Sequence, residues 1–165
     1  MSVSSFNHTM EKALSVEQIE QLTDRVAQAQ TSAQAIQKLT EDFPRMTLGD
    51  GYAIQLNLRK RLLAQGQSPS GWKAGLTSKA KMDQMGVTVP SVGFLLASMA
   101  VHSDKPIRVA ELVHPRVECE VAFVTKAALS GAHCTREQVL AATDYVVPAI
   151  EIIDSRFSGF KFDLQ

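Results

Sequence analysis

His114-Pro115-Arg116-Val117-Glu118-Cys119-Glu120-Val121-Ala122-Phe123-Val124 reads as a β-strand, because β-branched and aromatic residues follow a proline that can sit at a strand's start. Side chains alternate across a strand. Val117, Cys119, Val121 and Phe123 therefore share one face, and Glu118, Glu120, Ala122 and Val124 share the other. The second face sets two carboxylates side by side and then turns apolar. Like charges this close raise each other's pKa, and partial burial adds to the cost. A hard divalent cation removes that cost, since Mg²⁺ favours carboxylate oxygen and leaves positions open for substrate and water. An E-x-E on an amphipathic strand is most often a solvated edge, but here the apolar continuation heads the pair towards a core. A third acid, Glu151 in Pro148-Ala149-Ile150-Glu151-Ile152-Ile153, sits in another apolar run after one intervening helix. Glu118, Glu120 and Glu151 are therefore candidate ligands of one divalent cation.

Upstream, Gly71-Trp72-Lys73-Ala74-Gly75-Leu76-Thr77-Ser78 reads as a short strand running into a loop, with Ser78 placed to cap a helix through Met85 that Gly86 ends. Lys73, beside tryptophan and bracketed by glycines, is a candidate active-site cation, and the glycines let a ligand approach the backbone. A surface lysine on a strand end is the simpler alternative.

The first third of the chain is helical in pattern. Ser15-Val16-Glu17-Gln18 has the form of a capping box, and Val16, Ile19, Leu22 and Val26 follow at helical spacing. A second short helix is expected over Ser32 to Leu39, closed by Asp42-Phe43-Pro44. Thr47 caps a third, with Tyr52, Leu56 and Leu63 on one stripe widened by Ile54, Leu58 and Leu62, and Gly66 as its stop. Its basic residues Arg59, Lys60 and Arg61 read as a solvated face rather than a phosphate patch. Val87 to Leu96 reads as an irregular connection into another strand. Thr135-Arg136-Glu137-Gln138 is a second capping box, opening a helix expected to reach Tyr145. In Phe157 to Gln165, Phe160, Phe162 and Leu164 alternate with Lys161 and Asp163, the pattern of a half-buried strand, so further chain is expected after it.

Composition narrows the classes. A chain of 165 residues suits one domain with a sizeable core. Lys+Arg and Asp+Glu are both 17, so no bulk charge points to nucleic acid or an anionic membrane. Cys119 and Cys134 are too few for a zinc site or a disulfide framework, and His8, His102, His114 and His133 share no ligand-like spacing. Met1 to Leu14 lacks the apolar core of a signal peptide, and Val92 to Val101 is too short to span a bilayer. The expected location is cytoplasmic.

GWKAGLTS (71–78), AKMDQMGV (80–87), HPRVECEVAFVTK (114–126), VLAATDY (139–145) and PAIEIIDSRFSGFKFDL (148–164) together resemble the fumarylacetoacetate-hydrolase-like family, in its group of hydratases and decarboxylases acting on 2-oxo acids from catechol meta-cleavage. The resemblance implies an α+β fold, with a helical amino-terminal part over 1–69 packed on a mixed β-roll that occupies 70–165 and continues beyond. It implies Mg²⁺ or Mn²⁺ on Glu118, Glu120 and Glu151, an active-site Lys73, and substrate contacts from Gly75, Leu76, Thr77 and Ser78. The implied activity is decarboxylation of 2-oxo-3-hexenedioate, with a homo-oligomer and a complex with the pathway hydratase as the implied assemblies. Hydratases of the group read P-D-F-G where this chain has Pro90-Ser91-Val92-Gly93, and its decarboxylases tend towards P-I-Y-G. FKFDL (160–164) resembles the decarboxylases. Hydration of 2-hydroxypenta-2,4-dienoate and a non-catalytic structural subunit are the alternatives.

Overall fold

A computed structural model describes residues 11–131 and 133–163. Helix α1 (Val16–Ser32) begins where expected: Ser15 Oγ accepts from the Gln18 amide at 3.2 Å, and Gln18 Oε1 accepts from the Ser15 amide at 2.8 Å. This capping box satisfies amides that no helical turn can reach. Ile19, Leu22 and Ala29 are buried, while Val16 is 72% exposed because it stands in the first turn, ahead of the packed segment. The helix expected over Ser32 to Leu39 does not form. Ala33 ends α1 in the left-handed region (φ 52), and Ile36 then makes a parallel bridge with Phe157, leaving a single turn, α2 (Leu39–Asp42). A distant backbone partner has overridden helical propensity there.

Helix α3 (Leu48–Ala64) carries a capping box of Thr47 and Asp50. Asp50 is fully buried. Its carboxylate accepts from the Thr47 amide at 2.8 Å, the Thr47 hydroxyl at 2.9 Å, the Ala13 amide at 3.1 Å and the Leu14 amide at 3.2 Å. The segment before α1 is thus tied to the start of α3. Between the helices, Ile19 and Leu22 form one core with Ala53, Ile54, Leu39 and Met46. Ile54 and Leu58 are buried as the spacing predicts, whereas Tyr52, Leu56 and Leu63 are only partly covered. The basic stretch is not a plain solvated face. Arg61 pairs with Glu20 and Asp24 of α1, and Arg59 lies 5.5 Å from the ring centre of Trp72.

Two antiparallel ribbons follow. Strands β1 (Pro69–Gly75) and β2 (Ser91–Leu96) flank helix α4 (Lys79–Met85), which Ser78 caps and Gly86 (φ 68) ends. Strands β3 (Pro115–Thr125) and β4 (Thr143–Asp154) flank helix α5 (Arg136–Ala142). Helix α5 stops short of Tyr145, because Tyr145, Val146 and Val147 pair with Val124, Phe123 and Ala122 and extend β4 backwards. Helix α3 grips β2 by both backbone groups of one residue: Gln55 Nε2 donates to the Val92 carbonyl and the Val92 amide donates to Tyr52 Oη, each at 3.1 Å.

The half-buried strand expected after Phe157 is absent from the described residues; Leu164 and Gln165, like His8, lie outside them. The chain instead makes a 3₁₀ turn over Ser158–Phe160, with positive φ at Gly159 (64) and Phe160 (60). Aromatic packing accounts for the alternation: Phe160 meets Phe162 edge-on at 5.7 Å, and Arg116 stacks 3.8 Å over Phe160. The described residues form a mixture of helices and two small ribbons, without a closed roll among them. No helix among them is long and apolar enough to cross a membrane.

Asp50→Ala should cost about 1–3 kcal/mol in denaturant unfolding, since it removes the shared acceptor of the Ala13, Leu14 and Thr47 amides, which are at most partly buried. Burial alone would raise the Asp50 pKa, but its bonds from Thr47, Ala13 and Leu14 win and hold it below the ordinary carboxylate value. The resulting stabilisation is present above the unfolded-state pKa of about 3.9 and is lost as pH falls through the lower folded-state value. Wild-type protein should therefore lose stability faster than the variant below about pH 4, and parallel slopes would count against this role.

Candidate functional site

Antiparallel register decides which acids meet. Glu118 lies directly opposite Glu151 in the β3–β4 ribbon, and Glu120 lies opposite Ala149, so all three glutamates project from one face. One carboxylate oxygen from each lies within 4.8 Å of the others. Glu118 is exposed, whereas Glu120 and Glu151 are partly covered. Facing like charges disfavour strand pairing, so the cluster needs positive charge.

Lys73 supplies part of it from the other ribbon. Its Nζ donates to Glu120 Oε1 at 2.8 Å, lies 3.2 Å from Glu151 Oε2, and donates to the Ala74 carbonyl at 2.8 Å. Its cross-strand partner is Gly93, so no opposing side chain crowds the lysine stem. Burial works to lower the Lys73 pKa, but the hydrogen bonds and charges of Glu120 and Glu151 outweigh it and hold the group above its ordinary value. Among these acids Lys73 is an ammonium, a donor rather than a proton acceptor. One ammonium balances one of three carboxylates, and the charge left over is that of a divalent cation. The cluster contains oxygen donors without Cys or His, a set suited to Mg²⁺, Ca²⁺ or Mn²⁺ rather than zinc.

The segment after Lys73 is shaped by close approach. Gly75 pairs with Ser91, and a Cβ at Gly75 would stand 2.6 Å from Ser91 Oγ. Paired residues share a face, so the Ser91 hydroxyl lies on the Lys73 side of the ribbon. Leu76 takes the left-handed region (φ 55), a costly conformation for a branched side chain, and redirects the chain into α4. Ser78 Oγ accepts from the Lys81 amide at 3.2 Å, so one of its lone pairs serves the cap while its hydroxyl hydrogen remains to be donated. Thr77 is exposed beside it.

Sequence reasoning passed over Asp154. Its carboxylate accepts from the Val113 amide at 3.0 Å and the His114 amide at 2.7 Å, fixing the entry to β3 and hence the register that sets Glu118 against Glu151. An acid closing the apolar run Ile150–Ile153 was the available signal. On the glutamate face Ala122 and Val124, expected to head towards a core, are partly covered, whereas the opposite face of the ribbon, with Val117, Val121, Phe123 and Ile150, is exposed among the described residues.

No protein-family model matches the chain. It is 44% identical to 4-oxalocrotonate decarboxylase of Pseudomonas sp. (strain CF600) over 155 residues, covering 94% of this chain and 59% of that one. It is 36% identical to 2-hydroxypent-2,4-dienoate hydratase of Pseudomonas putida, covering 89% of this chain and 67% of the hydratase. Among solved structures, 4-oxalocrotonate decarboxylase from Pseudomonas putida G7, complexed with magnesium and adipate, superposes with a TM-score of 0.88 at 43% identity, over 93% of this chain and 58% of that one. The chain belongs to the fumarylacetoacetate-hydrolase-like family, in its group of 2-oxo acid hydratases and decarboxylases. It spans about three-fifths of the length of the decarboxylases it matches.

The contact of Gly75 with Ser91 makes a local test. Gly75→Ala should cost about 0.5–1.5 kcal/mol by driving Ser91 from its rotamer. Adding Ser91→Gly should recover most of that loss in a double-mutant cycle. Additive effects would show that the two positions do not press on each other.

Proposed function

We propose that the protein decarboxylates 4-oxalocrotonate (2-oxo-3-hexenedioate) to 2-hydroxypenta-2,4-dienoate, with Mg²⁺ or Mn²⁺ held by Glu118, Glu120 and Glu151. The observation that carries this reading is the converging acid cluster, whose charge Lys73 balances by only a third. It is supported by 44% identity to a decarboxylase and by a solved relative that contains magnesium and adipate, a six-carbon dicarboxylate.

In the reaction the bond to the distal carboxylate breaks. Its electron pair passes through the C3–C4 double bond to the C2 oxygen, CO₂ leaves as a neutral molecule, and a proton from solvent on the C2 oxygen completes the 2-hydroxy product. A divalent cation supplies Lewis-acid stabilisation of the 2-oxo acid end when bound. The protein's own part is to hold that end and neutralise the charge that develops. Lys73 contributes a fixed positive charge beside the acids, worth most where it meets charge that grows in the transition state. Gly75, Leu76, Thr77 and Ser78 line the adjoining loop, whose amides and hydroxyls suit a substrate carboxylate.

Hydration is the second reading, supported by hydratase relatives at 36–40% identity. It requires a group that activates water at the distal carbon. On the Lys73 face of the first ribbon, the position that carries an acid in hydratases is Ser91. A serine there lacks the carboxylate's basicity, which favours a reaction that needs no water.

The wider architecture follows the family. The reading takes residues 1–69 as the helical part and 70–165 as the start of a mixed β-roll, in a cytoplasmic homo-oligomer working beside the pathway hydratase. The exposed apolar face of Val117, Val121, Phe123 and Ile150 supports further strands closing that roll.

Each substrate is to be supplied separately with Mg²⁺. CO₂ release from 2-oxo-3-hexenedioate is expected, and fast formation of 4-hydroxy-2-oxopentanoate from 2-hydroxypenta-2,4-dienoate without CO₂ release would overturn the decarboxylase reading. Glu120→Gln should lower turnover by a factor on the order of 10² or more, through loss of a charged ligand. Ser91→Asp should introduce hydratase activity if this position directs the reaction.

A further inference from the structure

Resting on the metal-site reading above, we propose that Lys73 and the divalent cation compete for Glu120 and Glu151, so that metal entry turns the ammonium out of the acid cluster to face the substrate. The Lys73 Nζ stands 2.8 Å from Glu120 Oε1 and 3.2 Å from Glu151 Oε2. These belong to two of the three acids whose ligand oxygens lie within 4.8 Å of one another. A Mg²⁺ drawing on all three carboxylates would stand about 2.0–2.1 Å from each ligand oxygen, against two of the carboxylates that Lys73 contacts. The ammonium and the ion thus seek the same carboxylates at a separation where two positive charges repel.

The lysine is built to yield. Its stem is flexible, and its strand partner, Gly93, presents no side chain to block a swing. Its other hydrogen bond is to the carbonyl of the next residue, Ala74, which moves with the same strand. Three carboxylates are neutralised by one divalent ion and one ammonium together. Displacement therefore takes Lys73 out of direct contact while the field of the acids keeps it near. Metal loading and presentation of a cation to an acidic substrate become one event. By linkage, whatever releases Lys73 from the acids tightens the metal.

Calorimetric titration of Mn²⁺ without substrate tests this in wild type, Lys73→Met, Lys73→Arg and Glu120→Gln. Lys73→Met should bind Mn²⁺ about tenfold more tightly than wild type, in the usual range of coupling between sites, whereas Lys73→Arg keeps the competing charge and should not. Because loss of a nearby charge can act through space alone, wild-type crystals with and without Mn²⁺ supply the second readout. Nζ should move beyond hydrogen-bond reach of Glu151 when Mn²⁺ is bound. Equal or weaker Mn²⁺ binding by Lys73→Met, or an ammonium still seated between both acids beside Mn²⁺, overturns the competition. If wild type binds Mn²⁺, Glu120→Gln does not, and Lys73→Met matches wild type, the metal site stands and only the competition falls. If neither wild type nor Lys73→Met binds Mn²⁺, the metal-site reading falls and takes this inference with it.

Discussion

Mutual repulsion among three carboxylates is the constraint around which the β-portion is arranged. Glu118 and Glu151 oppose each other across a strand pair, an arrangement that costs stability unless positive charge answers it. Part of the answer comes from Lys73 on a different ribbon, so the electrostatics of the acids also tie β1 to β3 and β4. Pairing acids this way is tolerable only because the ribbon is otherwise long and regular. Eleven residues of β3 form a nearly continuous ladder with β4, and the irregularity is confined to its far end, at Val124 and Thr125.

Stiffness for that arrangement is borrowed from the helical layer. Helix α3 is anchored at its start by Asp50 and holds β2 through both backbone groups of Val92. Since β2 is the partner of β1, the position of Lys73 is set from the α1–α3 core through two side chain-to-backbone hydrogen bonds and a strand ladder. Asp154 does the equivalent for the acids, holding the approach to β3 through the amides of Val113 and His114. Buried or partly buried aspartates thus appear at two points where one segment must be aligned on another.

Local signals in the sequence were reliable wherever the structure is governed by neighbours along the chain. The capping boxes at Ser15 and Thr135, the Thr47 cap, the Gly86 stop and the period-two pattern of β3 all appear as read. The convergence of Glu118, Glu120 and Glu151 was also legible, since two of them share a strand face and the third sits in an equally apolar run. What could not be read were features set by distant partners. Residues 33–38 are non-helical, with Ile36 bridged to Phe157, and Tyr145 leaves α5 for a ladder opposite Val124. The alternation after Phe157 serves ring packing on Arg116 and His114 rather than a strand. Asp50 and Asp154 look like ordinary acids because their value lies in which amides meet them.

The bridge between Ile36 and Phe157 also bears on the order in which the molecule is built. The Ile36 amide donates to the Arg156 carbonyl at 2.9 Å, and the Ser158 amide returns to the Ile36 carbonyl at 2.9 Å, across 122 positions of chain in the second case. As a ribosome extends the chain from its amino terminus, α1 and α3 can pair early, because their contacts are local. The strip around Ile36 cannot be completed until the segment after β4 has emerged. Closing so long a loop costs chain entropy that nearby contacts lose far less of. The strip around Ile36 therefore waits on the segment that follows β4, although the pairing of α1 with α3 does not.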